Sequence, residues 1–219
     1  MRGTHYLNRM HAGEELAARL LSEQDGPAVV LAVPRGGVPV AVPVARALGC
    51  SLDLIIPRKI GAPGQPEVAI GAVCEDGEIL LNPLLVQQLQ ISDDYINTKA
   101  AQAVSEIKRR LFVYRGEQAA VDVRGKTVIM IDDGVATGFT ITAALQSVRR
   151  LHPKKLILAI PVAPPNTIAT LFGEVERVIC PLQPEEFSAV GQFYDQFPQL
   201  TDRDVIQLLA SVGTDANRS

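Results

Sequence analysis

Residues 128 to 140 constrain this chain most. Four consecutive apolar residues, Val128-Ile129-Met130-Ile131, run straight into Asp132-Asp133-Gly134-Val135-Ala136-Thr137-Gly138-Phe139-Thr140. An unbroken apolar run suits a strand buried on both faces of a parallel sheet better than a half-exposed strand of alternating polarity. From Ile141 the pattern switches to Ile141, Ala144, Leu145, Val148 and Leu151, one apolar face at helical period. Strand, carboxylates, small hydroxyl-bearing turn and helix, in that order, point to an α/β fold. The order also sets both carboxylates at the C-terminal edge of a strand, where open α/β sheets build their ligand crevice.

The turn from Ala136 to Thr140 then lies at a helix N-terminus, whose unpaired N–H groups and positive dipole end favour an anion. Gly138 permits close backbone approach, and Thr137 and Thr140 add hydroxyl donors. Asp132 and Asp133 have no evident cationic neighbour in sequence. They suit accepting hydrogen bonds from ligand hydroxyls, holding a divalent cation, or both. A ligand with a phosphate at one end and a diol at the other fits. The plain alternative, a solvated Asp-Asp-Gly turn followed by an ordinary helix start, explains each piece but not their combined order. A nucleotide-hydrolase strand ending in acids fails because the chain has no Gly-x-x-x-x-Gly-Lys-Ser/Thr loop.

At 219 residues the chain suits one α/β domain spanning 1–219 with a small appended lobe. Apolar residues make up 47% and charged residues 21%, an ordinary globular balance that excludes wholesale disorder. A net charge of −3 and a pI near 5.7 leave no global positive field to recruit nucleic acid. Cys50, Cys74 and Cys180 are widely spaced, which argues against a disulfide framework or a zinc site and for a reducing cytoplasm. Met1 to Tyr6 lacks the apolar core of a signal peptide, and no stretch reaches the roughly 18 apolar residues of a membrane span. The expectation is a soluble, cytoplasmic protein.

In chain order, Leu16, Leu20 and Leu21 after Gly13-Glu14-Glu15 suggest a first amphipathic helix that only packs on the sheet, with His5 and His11 at the surface. Ala28 to Val33 is a second continuous apolar run, followed by Pro34-Arg35-Gly36-Gly37 and a helical stretch to Gly49. Two glycines let backbone amides crowd an anion, and Arg35 offers it a planar multi-donor charge. Leu52 to Ile56 forms another strand, closed by Pro57-Arg58-Lys59. Ile60 to Pro66 reads as a mobile loop, and Val68 to Val73 with Glu78 to Leu81 as a hairpin turning at Asp76-Gly77. Ser92 caps a long helix with the stripe Ile96, Ala100, Val104, Ile107 and Leu111, whose bases Lys108, Arg109, Arg110 and Arg115 read as a solvated face. Leu156 to Ile160 and Arg177 to Cys180 complete about five mostly parallel strands in an open sheet, with helices on both faces. Phe187, Phe193, Tyr194 and Phe197 gather most of the aromatic rings, and Phe187 or Tyr194 could stack a planar base or simply pack a C-terminal lobe.

The stretch Asp132 to Thr140, with its apolar strand, resembles the phosphoribosyl pyrophosphate signature of type I phosphoribosyltransferases. The resemblance implies that Asp132 and Asp133 hold the ribose hydroxyls and, with Mg2+, act in catalysis and metal binding. It implies that Val135, Ala136, Thr137, Gly138, Phe139 and Thr140 wrap the 5′-phosphate, with Gly134 in the same phosphoribosyl pyrophosphate-binding set. Arg35, Gly36 and Gly37 are similar to the family's pyrophosphate loop, where some relatives carry a non-proline cis peptide. Residues 57–81 are similar to its flexible lid, with Arg58 and Lys59 as catalytic cations neutralising the leaving group, and 181–200 to its base-binding hood. One departure matters: members acting on 6-oxopurines usually carry a further aspartate before the Thr-Gly, where this chain has Ala136.

The implied activity is a magnesium-dependent pentosyl transfer in nucleotide metabolism, a glycosyltransferase reaction. Ribose 5-phosphate passes from phosphoribosyl pyrophosphate to an unidentified base, in a cytoplasmic homodimer without nucleic-acid or membrane partners. Two rivals stand beside it: a non-catalytic sensor of phosphoribosyl pyrophosphate, and an enzyme of another sugar phosphate that would not need the Arg-Gly-Gly loop.

Overall fold

The computed structural model describes residues 5–23 and 25–213, so Met1 to Thr4 of the N-terminal reading lie outside the described residues. Along the chain come α1 (Arg9–Leu20), β1 (Ala28–Ala32), α2 (Gly37–Leu48), β2 (Ser51–Leu54), β3 (Arg58–Ala62), β4 (Gln65–Val73) and β5 (Ile79–Leu81). Then follow α3 (Pro83–Gln88), α4 (Asp93–Arg115), β6 (Thr127–Ile131), α5 (Phe139–Arg149), β7 (Lys155–Ala159), α6 (Pro165–Leu171), β8 (Arg177–Ile179) and α7 (Asp202–Gly213).

Five strands form a parallel sheet in the order β2-β1-β6-β7-β8. Beyond Thr127 and Lys155 at the starts of β6 and β7, its central strands are apolar because both faces are covered, and the period of two decides which residue goes where. Val30, Ala32, Ile129, Ile131, Ile157 and Ala159 pack with Leu16, Leu20, Ala41 and Val44 of α1 and α2. Val29, Leu31, Val128, Met130, Leu156 and Leu158 pack with Ala144, Leu145, Val148, Ile168 and Leu171 of α5 and α6 on the other face. This is the expected sheet, with helices on both faces. Among the described residues, no helix is long and apolar enough to cross a membrane.

Three sequence readings change. Ile60 to Pro66 is not a loop: Arg58–Ala62 is a strand, and β3, β4 and β5 make a separate antiparallel sheet. Its turn chemistry sits at Gly64 (φ +70°), while Ile60 and Ala62 alternate into the core with Ile70, Ile96, Ala100 and Ile107. Gly61 fits a register irregularity where the backbone of Pro66 passes too close for a Cβ. Tyr95 of α4 fastens the strand by donating to the Gly61 carbonyl at 3.0 Å.

Arg115 is likewise not solvated. It donates to Asp53 Oδ1 at 2.6 Å and to the Leu54 carbonyl at 2.7 Å, tying the end of α4 to β2. The first helix begins at Arg9, not near Gly13, because the Asn8 side chain accepts the His11 N–H. Nor does that end of the chain only pack on the sheet. Tyr6 and Ala12 share a small apolar cluster with Val162, Phe193 and Tyr194, with Phe187, Val190 and Phe197 at its rim.

Candidate functional site

The site grows from the C-terminal end of β6. After Ile131 come Asp132 and Asp133, then Gly134, where a Cβ would collide with Val190 and Val162. Gly138 adopts φ +78° as the residue before α5, a conformation that costs a side-chain-bearing residue energy. The helix starts at Phe139, one turn's edge earlier than the apolar period alone placed it, and Thr142 Oγ1 donates back to the Gly138 carbonyl at 3.1 Å. The connection after β7 pins the turn: Val135 N–H donates to the Val162 carbonyl at 3.0 Å, and Thr167 Oγ1 to that of Ala136 at 2.6 Å. Ala136 and Thr137 stay exposed. The result is a fixed backbone bowl at the start of an eleven-residue helix, a suitable anion seat.

A second loop closes on it. Pro34-Arg35 is a cis peptide, and the loop is held by Val33 N–H to the Ile131 carbonyl at 2.8 Å and Gly37 N–H to the Val33 carbonyl at 2.9 Å. Gly36 has an ordinary helical backbone (φ −62°), so its conformation does not demand glycine. Space does: a Cβ on Gly36 would fall inside the Asp133 carboxylate, and one on Gly37 would lie 2.6 Å from the Ile131 carbonyl oxygen. The structure thus brings Arg35, Gly36 and Gly37 together with Asp132 and Asp133. Arg35 itself reaches Asp202 Oδ1 at 3.6 Å, an oxygen that also accepts the Tyr114 hydroxyl at 2.7 Å.

The aspartates are not without a cation. Arg9, 124 residues before Asp133, donates from Nε to its Oδ2 at 2.8 Å. Arg9 also donates to the Pro198 carbonyl at 2.9 Å, and its guanidinium carbon lies 3.6 Å from the centre of the Phe197 ring. Burial, then the charge of Asp133, pushes the Asp132 carboxyl well above the usual carboxylate range. Asp133 is raised by burial too, with Arg9 opposing the rise.

Arg58 and Lys59 sit elsewhere. They line a cleft of about 660 Å³ between the β3–β4 turn and α4, with Tyr95, Lys99 and Arg110. Arg58 Nη1 lies 3.4 Å from Glu106 Oε1, a carboxylate shared with Arg109 and Arg110, which hold its pKa down to about 2. Arg58, Lys59, Lys99 and Arg110 line the cleft with one acid, Glu67, and Glu106 beside it pairs with Arg58 and Arg110.

Tyr194 is 6% exposed, with its ring 5.5 Å from Tyr6 and 5.0 Å from Phe197, so in this conformation it presents no open face to a base. Its hydroxyl donates to the Asp133 carbonyl at 2.6 Å. Phe187 is half-buried beside Phe193, at 5.2 Å. Sequence reasoning missed Arg9, although a signal existed. Once Asn8 is read as the cap, Arg9 falls on the same stripe as Ala12, Leu16 and Leu20, and a charge on a buried stripe asks for a partner.

A family model described as a phosphoribosyl transferase domain matches residues 4–193. Two Mycobacterium tuberculosis proteins, from strains CDC 1551 and H37Rv and each named "Putative phosphoribosyl transferase", are 38% identical over 202 residues. The match takes in 92% of this chain and 46% of each relative, so the chain spans about half their length. The crystal structure of TT1426 from Thermus thermophilus is 39% identical with a TM-score of 0.81, covering 94% of this chain and 98% of that one.

Proposed function

The chain belongs to the phosphoribosyl transferase domain family, and on that premise we propose that it moves ribose 5-phosphate from phosphoribosyl pyrophosphate to a nitrogenous base, releasing pyrophosphate. The observation that carries this reading is the contact between two loops. The Arg35-Gly36-Gly37 turn packs against Asp132 and Asp133, directly ahead of the α5 bowl. A 5′-phosphate in the bowl would set the sugar over the aspartates and the pyrophosphate towards Arg35. That geometry supports the transfer over the rival enzyme of another sugar phosphate, which has no use for the second loop.

Displacement at a sugar carbon passes through an oxocarbenium-like state, so charge placement and orientation supply most of the rate. In this reading the aspartate end faces the developing positive charge. Arg35 would leave Asp202, and Arg58 and Lys59 the α4 cleft, to meet the departing pyrophosphate. Magnesium fits the donors only as an ion shared with the substrate. Among the described residues no three His, Cys, Asp or Glu side chains cluster for a metal, and this ion commonly takes one or two carboxylates plus substrate phosphates. When bound it supplies further positive charge against the pyrophosphate. Asp132, raised by burial and its neighbour, gains most from such a charge.

The test is titration of phosphoribosyl pyrophosphate with magnesium into the wild-type chain and an Asp132→Asn/Asp133→Asn variant, then a base panel scored by pyrophosphate release. Binding lost in the variant and release with one base support transfer. Binding without release from any base favours the sensor, and no binding by folded wild type removes both.

A further inference from the structure

Arg35, the cation of the second loop, is already engaged by a carboxylate of the chain. Its Nη1 lies 3.6 Å from Oδ1 of Asp202, which stands in the first turn of α7, far from the signature in sequence. That carboxylate is fixed from several sides. Val205, fully buried in the main core, anchors the first turn of α7. Thr201 closes the turn: its hydroxyl donates to Asp204 Oδ2 at 2.7 Å and accepts the Asp204 N–H at 3.2 Å. The buried Tyr114 of α4 donates its hydroxyl to the same Asp202 Oδ1 at 2.7 Å. The Tyr114 hydroxyl, then the charges of Arg35 and of Arg110 one turn before Tyr114, hold the Asp202 carboxyl below its ordinary range.

The pair is arranged to let go. Arg115 and Asp53, which tie α4 to β2, meet at 2.6 Å with side chains 13% and 8% exposed. Arg35 and Asp202 are looser and 43% and 44% exposed, where solvent screening leaves an ion pair weak. When Arg35 departs, Asp202 keeps the Tyr114 hydroxyl and the nearby charge of Arg110, so no buried anion is stranded. Arg58 is held in the same manner by Glu106 at 3.4 Å, which retains Arg109 and Arg110 as partners. We propose, resting on the phosphoribosyl pyrophosphate reading above, that Asp202 is a positioning residue for the pyrophosphate end: it holds Arg35 in the unliganded protein, yields it to the incoming pyrophosphate group and takes it back when pyrophosphate leaves. The carboxylate thereby lowers the affinity for every ligand that carries the pyrophosphate group. A ligand with the 5′-phosphate alone does not call on Arg35 and is unaffected.

Calorimetric titration of the full chain with phosphoribosyl pyrophosphate, pyrophosphate and ribose 5-phosphate, each with magnesium, tests this. Asp202→Asn keeps an oxygen for the Tyr114 hydroxyl and removes only the charge. It tightens the two pyrophosphate-bearing probes by roughly fivefold, the upper end of what an exposed ion pair contributes, and leaves ribose 5-phosphate as in wild type. Arg35→Gln weakens those two probes, and adding Asp202→Asn to it changes them by less than about twofold, because the carboxylate acts through Arg35. Three results overturn the proposal. They are pyrophosphate binding unchanged or weakened by Asp202→Asn, an equal gain for ribose 5-phosphate, or the same gain with and without Arg35. Should Asp202→Asn fail to fold in a thermal scan, Asp202→Ser is held to the same outcomes. A wild type that binds none of the three probes removes the functional premise and this proposal with it. Wild-type binding that Asp202→Asn does not tighten overturns this proposal alone.

Discussion

The two halves of the site are built by opposite strategies. The β6–α5 turn draws its residues from one contiguous stretch, Asp132 to Thr140, with Val162 and Thr167 pinning it from the connection after β7. The clamp on Asp133 takes Arg9 from one end of the chain and Tyr194, Phe197 and Pro198 from the other, up to 189 residues apart. A contiguous motif survives as long as its own backbone folds. An assembled clamp exists only once the sheet has closed, and each part then supports several contacts, so single changes there spread into stability as well as binding.

Gly36→Ala breaks the comparison hardest, because it attacks the seam between the halves. The added methyl displaces the Asp133 carboxylate from Arg9, and over-packing against a charged, buried group costs roughly 1–3 kcal/mol. Binding of phosphoribosyl pyrophosphate should be lost and Tm should fall, read by titration and differential scanning calorimetry. Tyr194→Phe tests the clamp alone. It removes the hydroxyl from the Asp133 carbonyl and leaves a mostly enclosed acceptor unpaired, for a loss of about 1–2 kcal/mol in denaturant unfolding.

Asp132→Asn sharpens the contrast through pH. The folded-state pKa of Asp132 lies above its ordinary value of 3.8, so below that value both states are protonated and nothing is lost. As pH rises from there towards the folded pKa, the unfolded chain ionises first and stability declines, then levels off. The asparagine variant escapes that decline, so its Tm advantage over wild type in the unliganded protein should open above about pH 4 and persist at neutral pH. No such gain is expected of Asp133→Asn, which leaves Arg9 buried without its anion. Arg58→Ala has the smallest effect on stability, with Tm close to that of wild type, since its pair with Glu106 is about one third exposed and screened by solvent. In the proposed transfer it should still slow pyrophosphate release more than it weakens substrate binding, measured as a fall in kcat with KM little changed.

The same division governs what could be read beforehand. The apolar runs of β1, β6 and β7 marked the centre of the parallel sheet because a strand buried on both faces needs no polar residues, whatever its neighbours are, while the edge strands β2 and β8 carry Asp53 and Arg177. The turn at Asp132 to Thr140 was legible because its residue types serve local backbone needs. The strand at Arg58–Ala62 was hidden by proline and glycine, although Ile60 and Ala62 carried its alternation. Arg115 looked solvated because its partner Asp53 lies 62 residues away, and Tyr194 looked like an open ring because nothing in sequence shows which side chains cover it.

By itself, then, the sequence determined the α/β sheet and the order of strand, acids, turn and helix start. Those features depend on period, backbone propensity and residue size, which act over a few neighbours. Only the tertiary structure decided that Arg9 answers Asp133, that Gly36 is required by a carboxylate and not by its own φ, and that Arg58 rests on α4. Charge and close packing act through space, so their partners are chosen by the closure of the fold and leave no fixed spacing along the chain.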